Sequence, residues 1–290
     1  MVPSATAARL TLFGGVRLET ASGAAVSFPT RRAQRLLAML VLAPPQGLAR
    51  DSLAEALWPE AAPCDSRHAL ATELWRLRRV LHHAGAADWV QECGGRLLVN
   101  QAARDGADVH AFESALLHLR SSASPAARRA AVAEVERLHA GDFMAGDSDE
   151  WSLSRRAFFT AQRIDALVVG LELARDAGDG PEVIRLGHVL MLSDPLLEIV
   201  SQEMMRAYLL TGNSAAALAV FHRLERVLQA ELSVCPAAET RALRDLALAA
   251  RQWPAALAPA SRSAASTARP LPERLHRLAE ELHALAGQLR

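Results

Sequence analysis

Residues 30–81 read TRRAQRLLAMLVLAPPQGLARDSLAEALWPEAAPCDSRHALATELWRLRRVL. Three helices can be parsed from this stretch. Residues 30–43 place apolar side chains at helical spacing, with Thr30 as the N-cap, until Pro44-Pro45 and Gly47 stop the run. Residues 51–58 form a short second helix, which Asp51 or the residue before it starts. Pro59 and Pro63 bracket a turn, and Asp65 or Ser66 can cap a third helix that runs to about His83. Upstream, over residues 8–28, Leu10, Leu12, Val16, Leu18, Val26 and Phe28 alternate with small or polar residues. Gly14-Gly15 and Ser22-Gly23 punctuate them, so short antiparallel strands are expected. Downstream, residues 84–88 form a turn and residues 89–99 (WVQECGGRLLV) form a hairpin folded at Gly94-Gly95. Strands, three helices and then a hairpin is the order of a winged helix-turn-helix.

The third helix (66–83, SRHALATELWRLRRVLHH) carries the chemistry. Leu70, Leu74, Leu77 and Leu81 make one apolar stripe that docks the helix on its own domain. Arg67, His68, Thr72, Arg76, Arg79 and His83 occupy the opposite face, with Arg78 to the side. A helix fits the B-DNA major groove, where arginine pairs bidentately with guanine O6 and N7 or holds phosphates. Charge alone is a weak argument, since Arg-rich faces are usually just solvated. The short helix before it, the Pro-bounded turn and the trailing hairpin strengthen it, because together they present the third helix and set a wing beside it. Arg96, just after the hairpin glycines, suits either a nucleic-acid contact or a solvated turn.

From Asp108 onward the pattern is helical, broken at residues 121–125, 141–146, 178–181, 194–195, 212–213 and 235–236. Gly178 and Gly212 lie 34 positions apart, as do His188 and His222, and Ala174 and Tyr208. A helix pair repeating at this period is the tetratricopeptide (TPR) pattern, in which stacked pairs share a continuous core. Residues 252–272, rich in Ala, Ser and Pro, read as a linker. Residues 273–290 read as an amphipathic helix with Leu275, Leu278, Leu282 and Leu285 on one stripe. The expected fold is therefore mostly α: a winged helix-turn-helix over 8–100, then an all-α TPR-like repeat domain over 105–250.

Composition narrows the function classes. The chain has 290 residues, 51% hydrophobic, room for about two domains. Its net charge is zero but unevenly spread: 11 Arg against 8 acids in 1–100, and 15 Arg against 21 acids in 101–250. The acidic balance of the repeats is ordinary surface charge, or else a face that binds a basic partner or folds back on the basic one. All 32 basic residues are Arg, so a P-loop, which needs its Lys, is excluded. No charge-free apolar run of membrane-spanning length and no signal-peptide pattern occur, which leads to the expectation of a cytoplasmic protein. Cys64, Cys93 and Cys235 are scattered, and the histidines lack HxxxH or HExxH spacing, so no metal site and no cofactor are expected. Asp142, Asp147, Asp149 and Glu150 cluster before a helix start without a nucleophile or base beside them. No catalytic motif is present, and the chain is not expected to be an enzyme.

Residues 30–81 resemble the OmpR-like winged helix of the SARP-type activators, through the pairing of RDSLAEALWP with the later ALATELWRLRRVL. Residues 178–240 resemble those activators' bacterial transcriptional activation domain, through DPLLE, MMRAYLLTGN and the ELSVCPAAET ending. The resemblance covers residues 8 to about 250. It implies promoter binding at adjacent direct repeats by cooperative homodimers, and activation by contact with RNA polymerase holoenzyme. It also implies that Arg76 reads a base while Arg67, Arg78 and Arg79 hold the backbone. Two positions depart from the pattern: Trp75 stands where the family has a small or polar residue, and Arg96 where an aromatic is common. The alternative reading is a TPR-type adaptor whose winged helix no longer binds DNA specifically.

Overall fold

The computed structural model describes residues 8–252. The expected 252–272 linker, apart from Gln252, and the expected 273–290 helix lie outside the described residues. The described residues are mostly helical and divide into two compact units that part between Arg163 and Ile164.

The first unit opens with a three-stranded antiparallel sheet of β1 (Arg9–Thr11), β2 (Arg17–Glu19) and β3 (Ala25–Val26), with Leu10 facing Leu18 and Leu18 facing Val26. Alternation sends Leu10, Leu12 and Leu18 into the core. α1 (Arg31–Val41) follows, with the Thr30 hydroxyl accepting from the Ala33 amide at 3.0 Å, the cap its sequence promises. The last carbonyls of α1 find side-chain donors: His110 Nε2 donates to Val41 at 2.8 Å, and Arg104 donates to Ala43 just beyond the helix. Gly47, at φ +72°, then turns the chain into β4 (Leu48–Ala49). A Cβ there would sit 2.3 Å from the Leu97 carbonyl oxygen, so only glycine fits.

α2 (Arg50–Leu57) and α3 (Pro63–His83) complete the helix-turn-helix. α3 begins earlier than its Asp65 or Ser66 capping signal suggests. Ala62 is the N-cap and Pro63 takes the first helical position, where a fixed φ and a missing N–H cost nothing; Asp65 falls inside the first turn. All four stripe leucines of α3 are buried at 2% exposure or less, each stabilising the unit by roughly 2 kcal/mol. β5 (Val90–Cys93) and β6 (Arg96–Val99) form the wing, joined by Gly94-Gly95 at positive φ, and β4 pairs with β6 to give the order β4-β6-β5.

After α4 (Gln101–Asp105), helices α5 (Asp108–Ser121) and α6 (Pro125–Leu138) pack on one another, and α5 packs back onto β1. Leu10 bridges Ala107 and Phe13 bridges Phe143. Phe13, Phe112, Phe143 and Phe159 form one aromatic cluster, each at most 1% exposed. The adjacent Phe158 remains 48% exposed: neighbours in a helix point about 100° apart, so the Phe158-Phe159 pair cannot both enter the core.

α7 (Glu150–Asp176) spans the division between the units. In the second unit α8 (Gly180–Ser193), α9 (Glu198–Leu210), α10 (Ser214–Leu232) and α11 (Ala238–Gln252) pack in sequence. The 34-residue period has a backbone cause. Gly178 and Gly212 take φ +70° and +75°; the next amides, Asp179 and Asn213, return to the carbonyls of Ala174 and Tyr208. The side chains of Asp179 and Asn213 then cap the following helices at Glu182 and Ala216. Each unit of the repeat is thus a left-handed helix stop fused to an Asx cap. Among the described residues no helix is long and apolar enough to cross a membrane.

Candidate nucleic-acid interface

α3 buries its leucine stripe and leaves Arg67, His68, Thr72, Arg78, Arg79 and His83 exposed, with Arg76 half-buried between the two faces. The expected residues therefore share one helix surface, but most of their polar groups already have partners. Arg67 makes a bidentate pair with Asp51 of α2, at 2.7 and 3.0 Å, which lowers the pKa of Asp51 and raises that of Arg67 through the hydrogen bond between them. Thr72 donates back to the His68 carbonyl at 3.2 Å, and His83 Nδ1 donates to the Arg79 carbonyl at 2.6 Å. Arg78 lies 3.6 Å from Glu92 on the wing, a carboxylate it shares with Arg50.

Arg96 sits beside the wing turn with its side chain folded back. Nε donates to the Gln46 carbonyl and Nη2 to the Gly47 carbonyl, at 2.9 and 2.6 Å. It staples the turn that leads into β4, while Gly94 and Gly95 occupy the tip.

Three features escape a reading of the sequence. Glu73, on the same helix, is buried at 5% exposure; its Oε1 accepts from Arg76 Nη1 at 2.5 Å and its Oε2 from the Thr30 hydroxyl at 2.7 Å. Trp75 is 58% exposed, with the Arg79 guanidinium 5.0 Å over its ring, a cation–π contact that orders both side chains. A recess of about 650 Å³ runs between residues 25–29 and α3, walled by Phe28, Trp75, Arg76, Arg79 and His83. The positions of Asp51 and Glu73 carry the only available signal, acidic residues among arginines, and that pattern does not distinguish a partner from a solvated neighbour.

Arg31, Arg32 and Arg35 surround the N-terminal end of α1. Arg31 donates to the Gly146 carbonyl, Arg32 lies 5.4 Å over Trp58, and Arg35 bridges Asp147 and Asp149, each at 2.7 Å. The acidic cluster is thereby resolved: Asp147 and Asp149 hold α1, and Asp149 also accepts the Trp151 amide to start α7. Among the described residues no group of three or more His, Cys, Asp or Glu is placed to hold a metal ion.

Residues 107–248 match the family described as the bacterial transcriptional activator domain. The chain is 30% identical over 246 residues to the regulatory protein AfsR of Streptomyces coelicolor, covering 84% of this chain but only 24% of AfsR. It is 29% identical over 234 residues to the transcriptional regulatory protein MoaR1 of Mycobacterium tuberculosis, covering 76% of this chain and 73% of MoaR1. The fold is also that of Mycobacterium tuberculosis EmbR, solved in complex with a low affinity phosphopeptide. That likeness has a TM-score of 0.70 at 19% identity and covers 97% of this chain and 71% of EmbR.

Proposed function

We propose, from the match of residues 107–248 to the bacterial transcriptional activator domain and the likeness to transcriptional regulatory proteins, that the chain is a sequence-specific DNA-binding activator. Its relatives are regulators, not enzymes. In this reading residues 8–100 read promoter direct repeats as a homodimer on double-stranded DNA, and residues 105–250 contact RNA polymerase holoenzyme.

The observation that carries it is the outer face of α3: Arg76, Arg78 and Arg79 stand beside a wing, on a helix whose opposite face is fully buried. A helix so anchored can enter a major groove without unfolding anything. Arg76 reads a guanine, Arg78 and Arg79 take phosphates, and His68 and Thr72 border the same strip nearer the helix start. Arg67, held by Asp51, and Arg96, held by the 46–47 carbonyls, reach phosphates only by exchanging those partners. For the exposed Arg67–Asp51 pair that exchange costs little, because water screens it.

The test is selection. The full chain is incubated with random duplex DNA and the bound fraction is sequenced. A repeated motif, enriched by the wild type and lost with Arg76→Ala, is expected. No enrichment, with weak binding to every duplex that disappears as salt rises, overturns the reading.

A further inference from the structure

We propose that Glu73 and Thr30 form a positioning device that aims the Arg76 guanidinium, so that Glu73, itself an anion, sharpens the preference of this chain for its own DNA site. The inference rests on the DNA-reading function above.

A buried carboxylate is costly unless both oxygens are satisfied. Glu73 meets that condition with two side chains from different elements: Oε1 takes Arg76 Nη1, and Oε2 takes the hydroxyl of Thr30, the N-cap of α1. Thr30 is held in turn, since its oxygen also accepts the Ala33 amide. The orientation of Arg76 is thus referred through Glu73 to the start of a second helix. Its Nε and Nη2 make no hydrogen bond among the described residues, which leaves the Nε–Nη2 edge for bidentate pairing with guanine O6 and N7. An arginine freed of rotamer choice loses less entropy on meeting a base than a flexible one.

The second consequence is electrostatic. Glu73 and Arg76 line a polar recess of about 480 Å³ together with Arg31, Arg32, Arg35 and Asp149, so arginines outnumber carboxylates there. The Glu73 carboxylate offsets part of that positive charge, which lowers the attraction that any phosphate backbone meets whatever its sequence. Only a base that satisfies the free edge of Arg76 compensates for bringing DNA close to it.

The experiment uses the full chain, one selected duplex and one scrambled duplex of equal length. With Glu73→Gln the ratio of the two affinities is expected to fall about tenfold, while affinity for the scrambled duplex holds or rises and the melting temperature changes little. Thr30→Val, which leaves the Glu73 charge in place, is expected to lower the ratio too, and Thr30→Ser to retain it. An unchanged ratio with Glu73→Gln, or an equal loss on both duplexes, overturns the positioning role. A ratio that survives Glu73→Gln but collapses with Arg76→Ala overturns this inference and leaves the DNA-reading function standing. A wild type that does not distinguish the duplexes overturns both.

Discussion

The carboxylate of Asp108 accepts the backbone amide of Leu12 with both oxygens at 2.9 Å, and that of Phe13 at 3.0 Å. It supplies the N-terminal sheet with an acceptor from the start of α5, 96 residues away. Burial pushes the Asp108 pKa up, against the pull of those amide bonds. Asp108→Ala leaves two inward-facing amides without an acceptor and is expected to cost about 1–3 kcal/mol in urea unfolding. A fragment ending at residue 100 lacks this acceptor and most of the Phe13 cluster, and is expected to lose the β1–β2 pairing by hydrogen exchange. An unchanged unfolding midpoint for Asp108→Ala contradicts the account.

His139 lies 4.7 Å from the Phe13 ring and 5.9 Å from Phe112, with Nε2 buried and unpartnered. Burial, then the nearby Arg163 charge, holds its pKa below the ordinary 6.5. The unfolded chain therefore binds this proton more readily than the folded one. Stability from the site is present above about pH 6.5 and is lost as pH falls below it. Urea midpoints between about pH 7.5 and 5.5 should decline for the wild type and decline less for His139→Phe; parallel declines rule out His139 as the cause.

Arg35 is only 12% exposed and holds both Asp147, itself 10% exposed, and Asp149. Burial works against the charge of Asp147, but hydrogen bonds from Arg35 and Ser152 outweigh it, so its pKa lies below 3.8. Arg35→Ala removes the charge partner of that carboxylate, leaving it the Ser152 hydroxyl, and is expected to destabilise by about 3 kcal/mol. Arg67→Ala, which breaks the exposed pair with Asp51, should cost under about 1 kcal/mol. Calorimetry of the two variants checks the ordering, and equal losses contradict it.

Gly187 is where α8 meets α9: a Cβ there would lie 2.4 Å from Met204 Cγ, in a side chain with no exposure. Gly187→Ala is expected to cost about 1–3 kcal/mol by overpacking. At Gly178 and Gly212 the space is open and the positive φ alone is strained, so each Gly→Ala change should cost about 1–2 kcal/mol. Urea unfolding of Gly178→Ala and Gly212→Ala should give nearly equal shifts, since the two turns make the same bonds; a harmless Gly212→Ala argues against the shared stop.

What the sequence made legible follows local rules. The α3 leucine stripe, the Thr30 cap, the two-glycine wing turn and the glycine stop at each turn of the 34-residue repeat are set by residues near in sequence, and the structure has each of them. The unread features join distant residues. Nothing near Glu73 marks it as buried, because it lies just off the leucine stripe and its partner Thr30 comes from another helix. Asp108 looks like an ordinary first-turn acid, and Arg35 like one arginine of a basic helix start. Arg96 follows the wing glycines in the sequence and opens β6, but its side-chain direction depends on carbonyls 49 and 50 residues earlier. Periodicity reveals faces, not the long-range polar contacts that satisfy what those faces enclose.

The most direct test of base reading by α3 compares Arg76→Ala with Arg79→Ala on a selected and a scrambled duplex across a salt series. Arg76→Ala is predicted to lose about 1–3 kcal/mol on the selected duplex and little on the scrambled one. Arg79→Ala is predicted to weaken both alike and to lower the salt slope by about one. Equal loss on both duplexes for Arg76→Ala contradicts the claim that this helix reads sequence.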